Sequence, residues 1–119
     1  MRIEWEMFQR KKGGKVSMDE LLNNSMDYKG THVEMYDLVV DQVITPPNQY
    51  PVYIVAHDEG SSKKGIIKAY DTEVVMALLS EPGDKIDVTG TFYCNYGRKR
   101  IEVGEYGKIV NKNKSDIDY

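Results

Sequence analysis

Between Thr31 and Ile44 the apolar residues recur at every second position but change parity partway. Val33 and Met35 share one phase, Leu38, Val40 and Ile44 share the other, and Asp37 lies near the switch. Side chains alternate between the two faces of a strand, so a phase change without a break describes one long strand that bends through a bulge and serves two sheets. Pro46, Pro47 and Asn48 end it. In the next run Val52, Ile54 and Ala56 alternate with Tyr53, Val55 and His57. After a loop at Asp58–Ser62, a third run from Lys63 to Tyr70 sets Ile67 and Ala69 against Ile66, Lys68 and Tyr70.

The pattern then turns helical. Asp71 is placed to cap a helix reaching about Ser80, with Val75, Leu78 and Leu79 as its buried face and Glu81-Pro82-Gly83-Asp84 as its stop. Strand alternation returns with Ile86, Val88, Gly90 and Phe92, and Asn95-Tyr96-Gly97-Arg98 reads as a hairpin turn. Ile101 and Val103 make the last strand, with a continuation from Tyr106 to Val110. Upstream, Ser17 and Glu20 form a capping box, with Val16 and Leu21 at the staple positions. They start a short helix from Met18 to about Asn24 whose inner face is Met18, Leu21 and Leu22. A chain of 119 residues suits a single domain. It divides into an arm and short helix at 1–30, a β-barrel at 31–110 and a flexible tail at 111–119.

This order, β-β-β-α-β-β with a bent first strand, resembles the OB-fold, a mainly β, five-stranded Greek-key barrel. The helix of that fold sits between strands three and four. Tyr28-Lys29-Gly30-Thr31-His32-Val33-Glu34 and Pro82-Gly83-Asp84-Lys85-Ile86-Asp87-Val88-Thr89-Gly90 are similar to the habit of tRNA-anticodon-type OB domains. The resemblance covers about Tyr28 to Val110. It implies a ligand face on strands two and three, flanked by the loops joining strands one to two and four to five, and a single-stranded nucleic acid or an oligosaccharide as ligand.

The residues bear on that implication. If Val52, Ile54, Ala56, Ile67 and Ala69 fill the barrel, then Tyr53, His57, Lys68 and Tyr70 share its outer face with Val55 and Ile66. In the hairpin, Tyr93 and Tyr96 stand beside the consecutive cations Arg98, Lys99 and Arg100. Aromatic rings stack on bases and cations neutralise phosphates. Tyr53, Lys68, Tyr70, Tyr93 and Tyr96 are therefore expected to stack or line a groove, with Lys63, Lys64, Arg98, Lys99 and Arg100 at the phosphates. The expected ligand is single-stranded DNA in preference to RNA, bound with little regard to sequence, in a replication, plasmid or phage setting. The bland reading of the same residues is an ordinary solvated strand surface and hairpin.

Overall charge opposes this reading at first sight. Residues 31–119 hold 10 Lys and Arg against 14 Asp and Glu. The expectation therefore requires charge to be segregated into a local basic groove on an acidic protein. An alternative follows from the same balance: an OB-type module that docks a protein or a second copy of itself. The apolar arm residues Ile3, Trp5, Met7 and Phe8 could then add a strand to a neighbour. The ending Asp116-Ile117-Asp118-Tyr119 is similar to the acidic, aromatic-tipped tail of bacterial single-stranded DNA-binding proteins, which makes Ile117 and Tyr119 candidate partner contacts. Asp118 stands where that family has proline, and Lys112 and Lys114 interrupt the acidic run.

Neither catalysis nor a cofactor is expected. His32 and His57 have no partners at metal-ligand spacing, Gly13-Gly14-Lys15 lacks the remainder of a phosphate loop, and Asp58-Glu59 reads as a solvated turn. Cys94, the single cysteine, reads as a small hydrophobe. With no long apolar run and no secretory leader at Met1–Glu6, the expected location is the cytoplasm.

Overall fold

A computed structural model of the chain describes residues 13–48 and 50–114. The elements run β1 (Gly14–Lys15), α1 (Met18–Asn23), α2 (Ser25–Tyr28), β2 (His32–Ile44), β3 (Val52–Asp58), β4 (Lys64–Ala69), α3 (Glu73–Leu79), β5 (Lys85–Asn95), β6 (Arg98–Val103) and β7 (Lys108–Asn111). Five strands close a barrel in the order β2-β3-β4-β6-β5 and back to β2. The β4–β6 pair is parallel and the other four pairs are antiparallel. This is the expected mainly β OB-type barrel, with α3 between its third and fourth strands.

The long strand β2 makes the closure possible. Its first part pairs with β5 and its second with β3, and the register shifts between Met35 and Leu38. Asp37 takes up the extra residue in a left-handed conformation (φ 58°), and its amide donates to the Asp87 carboxylate. The shift turns Leu38 and Val40 to the same interior as Val33 and Met35, and all four are buried. A second shift, between Val40 and Gln42, is not visible in the apolar pattern. It leaves Ile44 exposed, against the expected phase, and half-buries Val43 against the core instead.

The interior is filled as the alternation requires: Val52, Ile54, Ala56, Ile67, Ala69, Ile101 and Val103 have no exposed surface, and Phe92 is the largest side chain among them. Helix α1 packs on β3 and β4. A Cβ on Gly65 would fall 2.2 Å from the Met18 sulfur, so only glycine lets that methionine enter.

Helix α3 departs from expectation. Val75, Leu78 and Leu79, expected to be buried, are 61, 46 and 41 % exposed, while Ala77 is buried and Val74 and Met76 pack against the core. The expected face had the right helical spacing but the wrong rotation, because a seven-residue helix lying on a barrel is oriented by its ends. Glu73 accepts from the Ile109 amide, and the Ser80 hydroxyl accepts from the Asn111 side-chain amide. Nor does Asp71 cap the helix: it is left-handed (φ 55°), and Thr72 stands at the N-cap without a side-chain capping bond, its hydroxyl donating to the Glu73 carboxylate instead.

Three short elements escaped the sequence pattern: α2, β1 beside Val33 and Glu34, and β7 as a separate strand paired with Ile86–Thr89 of β5. Bonds to Asp84 and Lys85 hold the last residue of β7 and those that follow it. Asn111 is buried and donates to Asp84, the Lys112 amide donates to the Lys85 carbonyl, and the Lys114 ammonium reaches Asp84 at 2.8 Å.

Candidate functional site

Alternation along β3 and β4 turns Tyr53, Val55, Ile66 and Lys68 away from the filled interior. Because β6 runs parallel to β4, its outward residues Arg98, Arg100 and Glu102 step along the barrel in the same direction as Lys64, Ile66 and Lys68. A groove of about 690 Å³ lies over these strands. Tyr53, Lys64, Lys68, Arg98, Lys99 and Arg100 line it, and Leu22, Gly65 and Ile66 supply apolar lining. Six of the ten expected nucleic-acid contacts thus meet in one concavity.

Helix α1 forms a wall of the groove through Leu22 and is held at both ends. The Met18 and Asp19 amides each donate to the Asp58 carboxylate at 2.8 Å, and the Lys99 ammonium donates to the Leu22 carbonyl at 2.9 Å. Ser17 accepts from the Glu20 amide as the capping box requires. Asp58 is therefore a helix cap, not the solvated turn residue expected, and a link of 40 residues in sequence gave no local signal for it.

Rings and cations are paired along the outer face. The Lys68 ammonium lies 5.8 Å from the centroid of Tyr53 and 5.2 Å from that of Tyr70. A hydrogen bond with Tyr70 raises the Lys68 pKa against the opposing effect of burial, so the cation is secure at neutral pH. Arg100 lies 5.1 Å from the ring centroid of Tyr93, its partner across the β5–β6 ladder. Tyr70 also meets Tyr50 edge-on, with centroids 5.9 Å apart. At the tip of the β5–β6 hairpin, the fully exposed Tyr96 and then Gly97 are both left-handed (φ 53° and 79°).

Carboxylates share this surface. Glu102 binds Arg100 Nε at 2.6 Å. Asp41 lies 3.8 Å from Lys64 and 2.7 Å from His57 Nδ1. Lys63 lies outside the groove lining and donates to Asn23 Oδ1 at the end of α1. Sequence reasoning missed Tyr50, Tyr106 and the groove-side acid Glu102. The last was readable in principle, since Glu102 has the outward parity of Arg100. Ile3, Trp5, Met7, Phe8, Ile117 and Tyr119 lie outside the described residues. Among the described residues no group of three or more His, Cys, Asp or Glu side chains is arranged to hold a metal ion, and no helix is long and apolar enough to cross a membrane.

No family model matches the sequence, and no curated protein matches it. Among solved structures, the chain is similar to a "putative nucleic acid-binding lipoprotein" from Klebsiella pneumoniae subsp. pneumoniae MGH 78578. The TM-score is 0.61 at 13 % identity, over 88 % of this chain and 96 % of the other. At that identity the likeness speaks to the fold alone.

Proposed function

We propose that this chain binds single-stranded nucleic acid without catalysing a reaction, DNA in preference to RNA, by stacking bases on tyrosines and neutralising phosphates with Lys and Arg. The observation that carries this reading is the concavity shared by Tyr53, Lys64, Lys68, Arg98, Lys99 and Arg100 on a chain whose overall charge is −3. Segregated cations make a local field that attracts a polyanion whatever the net charge. Rings beside them give each base a sequence-tolerant platform worth about 1–3 kcal/mol. The name of the Klebsiella neighbour agrees with this reading.

Titration of labelled oligothymidine against duplex and oligouridine at several salt concentrations tests it. The expected result is preferential single-strand binding, tighter for DNA, with a log–log salt slope of about −0.7 per phosphate contacted. Arg98→Ala with Arg100→Ala should weaken binding and flatten the slope. Lys99 is left in place because it also holds α1. Absence of binding at low salt would remove the proposal.

One observation favours a second reading, that of a protein-docking module: the exposed stripe of Val75, Leu78 and Leu79 on α3. Val75→Ser with Leu78→Ser should leave oligonucleotide binding unchanged if the groove is the functional surface. Loss of a complex or oligomer in that variant, with no oligonucleotide binding in either protein, would favour docking instead.

A further inference from the structure

The outer face changes character along its length. In the common direction of β4 and β6, outward positions pass from Lys64 and Arg98, through Ile66 and Arg100, to Lys68 opposite Glu102, and then to Tyr70 beside Gly104. Each step of two residues advances about 6.6 Å, so the face loses its cations within roughly 20 Å, about three nucleotide spacings of an extended strand. Beyond Lys68 lies a smaller pocket of about 150 Å³, lined by Tyr70, Tyr93 and Tyr106 together with Glu102 and Glu105. No lysine or arginine is among its lining residues. Tyr50 backs Tyr70 edge-on, and the Tyr50 hydroxyl lies 3.4 Å from the Asp71 carboxylate.

Lys68 and Arg100 approach Tyr70 and Tyr93 from the groove side, and Arg100 is paired with Glu102, but the pocket's own lining of rings and carboxylates suits a base and repels a phosphate. A strand running through the whole face would carry its phosphates from the lysine and arginine end into a region holding Glu102, Glu105 and Asp71. A strand that stops there would not. Resting on the function proposed above, we propose that this face receives the end of a single strand: the phosphates lie along Lys64, Arg98, Arg100 and Lys68, and a terminal nucleoside bearing a free hydroxyl enters the tyrosine pocket. Tyr106, 84 % exposed, is free to close over the base. The carboxylates discriminate by charge, admitting a hydroxyl terminus and opposing a terminal phosphate.

The experiment compares three forms of one oligothymidine of about 12 nucleotides, a length within the span of a single OB barrel: hydroxyl-ended, phosphorylated at both ends, and closed into a circle. The hydroxyl-ended form should bind about fivefold to tenfold more tightly than the other two, the effect of one lost stack. Placing a single phosphate at either terminus then identifies the recognised end. Tyr106→Ala should reduce the hydroxyl-ended form to the affinity of the circle and leave the circle unchanged. Equal binding of all three forms, or an equal loss for circle and linear strand in Tyr106→Ala, would overturn end recognition while leaving the groove as the binding surface. If no form binds at low salt, the groove reading falls and this inference falls with it.

Discussion

Arg100 is held between a ring and an acid: its guanidinium carbon lies 5.1 Å from the Tyr93 centroid, and its Nε lies 2.6 Å from Glu102. The ring positions the cation and the carboxylate draws down its charge. Tyr93→Ala and Arg100→Ala should therefore not add. Each single change is expected to weaken single-strand binding by about 1–2 kcal/mol, and the double-mutant cycle to return a coupling of roughly 0.5–1 kcal/mol. Additive losses in the titration would show that ring and cation act separately.

Glu102→Gln removes the competing carboxylate while keeping its shape. Binding should tighten severalfold at low salt, because the Arg100–phosphate contact no longer competes with the carboxylate, and the slope of log affinity against log salt should steepen by less than the value of about 0.7 for a whole new contact. An unchanged affinity would mean that Glu102 does not compete with the phosphate for Arg100.

Tyr96 occupies a left-handed position that a two-residue hairpin normally gives to Asn or Gly. A fully exposed aromatic residue gains nothing from burial there, so the turn retains it at a cost to stability. Tyr96→Asn should raise the melting temperature by a few degrees, corresponding to about 0.5–1 kcal/mol, and weaken oligothymidine binding by about 1–3 kcal/mol. A melting temperature that falls would contradict the strain argument.

Asp84 is buried among the Lys114 ammonium, the Asn111 side-chain amide and the Glu81 amide. Burial alone would raise its pKa, but the hydrogen bonds to the ionised form prevail and the pKa is lowered. A carboxyl with a lowered folded pKa contributes fully above its unfolded pKa of about 3.9, and that contribution is lost as pH falls through the lower folded value. Asp84→Asn should accordingly be destabilised at pH 7 and show a shallower acid limb in denaturant titrations below about pH 4. Parallel acid limbs in the two proteins would exclude this origin.

Asp58→Ala leaves the Met18 and Asp19 amides without an acceptor and should cost about 0.5–2 kcal/mol in stability. Because α1 walls the groove through Leu22, binding should weaken as well, through a faster dissociation rate rather than a changed salt slope. A steeper or flatter salt slope would point to a direct electrostatic role for Asp58.

The barrel was legible because buried strands must alternate. The phase change at Asp37 disclosed the first bulge of β2, and the alternation of Tyr53, Ile66 and Lys68 disclosed the outer face. The second bulge was hidden, since Val43 and Ile44 are both apolar and either could have faced inward. The rotation of α3 was hidden too, because Glu73 and Ser80 fix it through partners on β7, far along the chain. In the site, the local clusters Tyr93 to Arg100 and Tyr53 with Lys68 could be read directly. The neutralising contact of Asp41 depends on which strands become neighbours, and alternation within one strand carries no record of that, whereas the contact of Glu102 follows from the strand and parity it shares with Arg100.

The two fastenings of α1 bear on kinetics. A wall pinned to β3 through Asp58 and to β6 through Lys99 leaves little slack for the jaw to open or shut. An incoming ligand would find the width already set, spend little entropy in ordering the protein, and associate at a rate governed by charge and diffusion instead of by rearrangement.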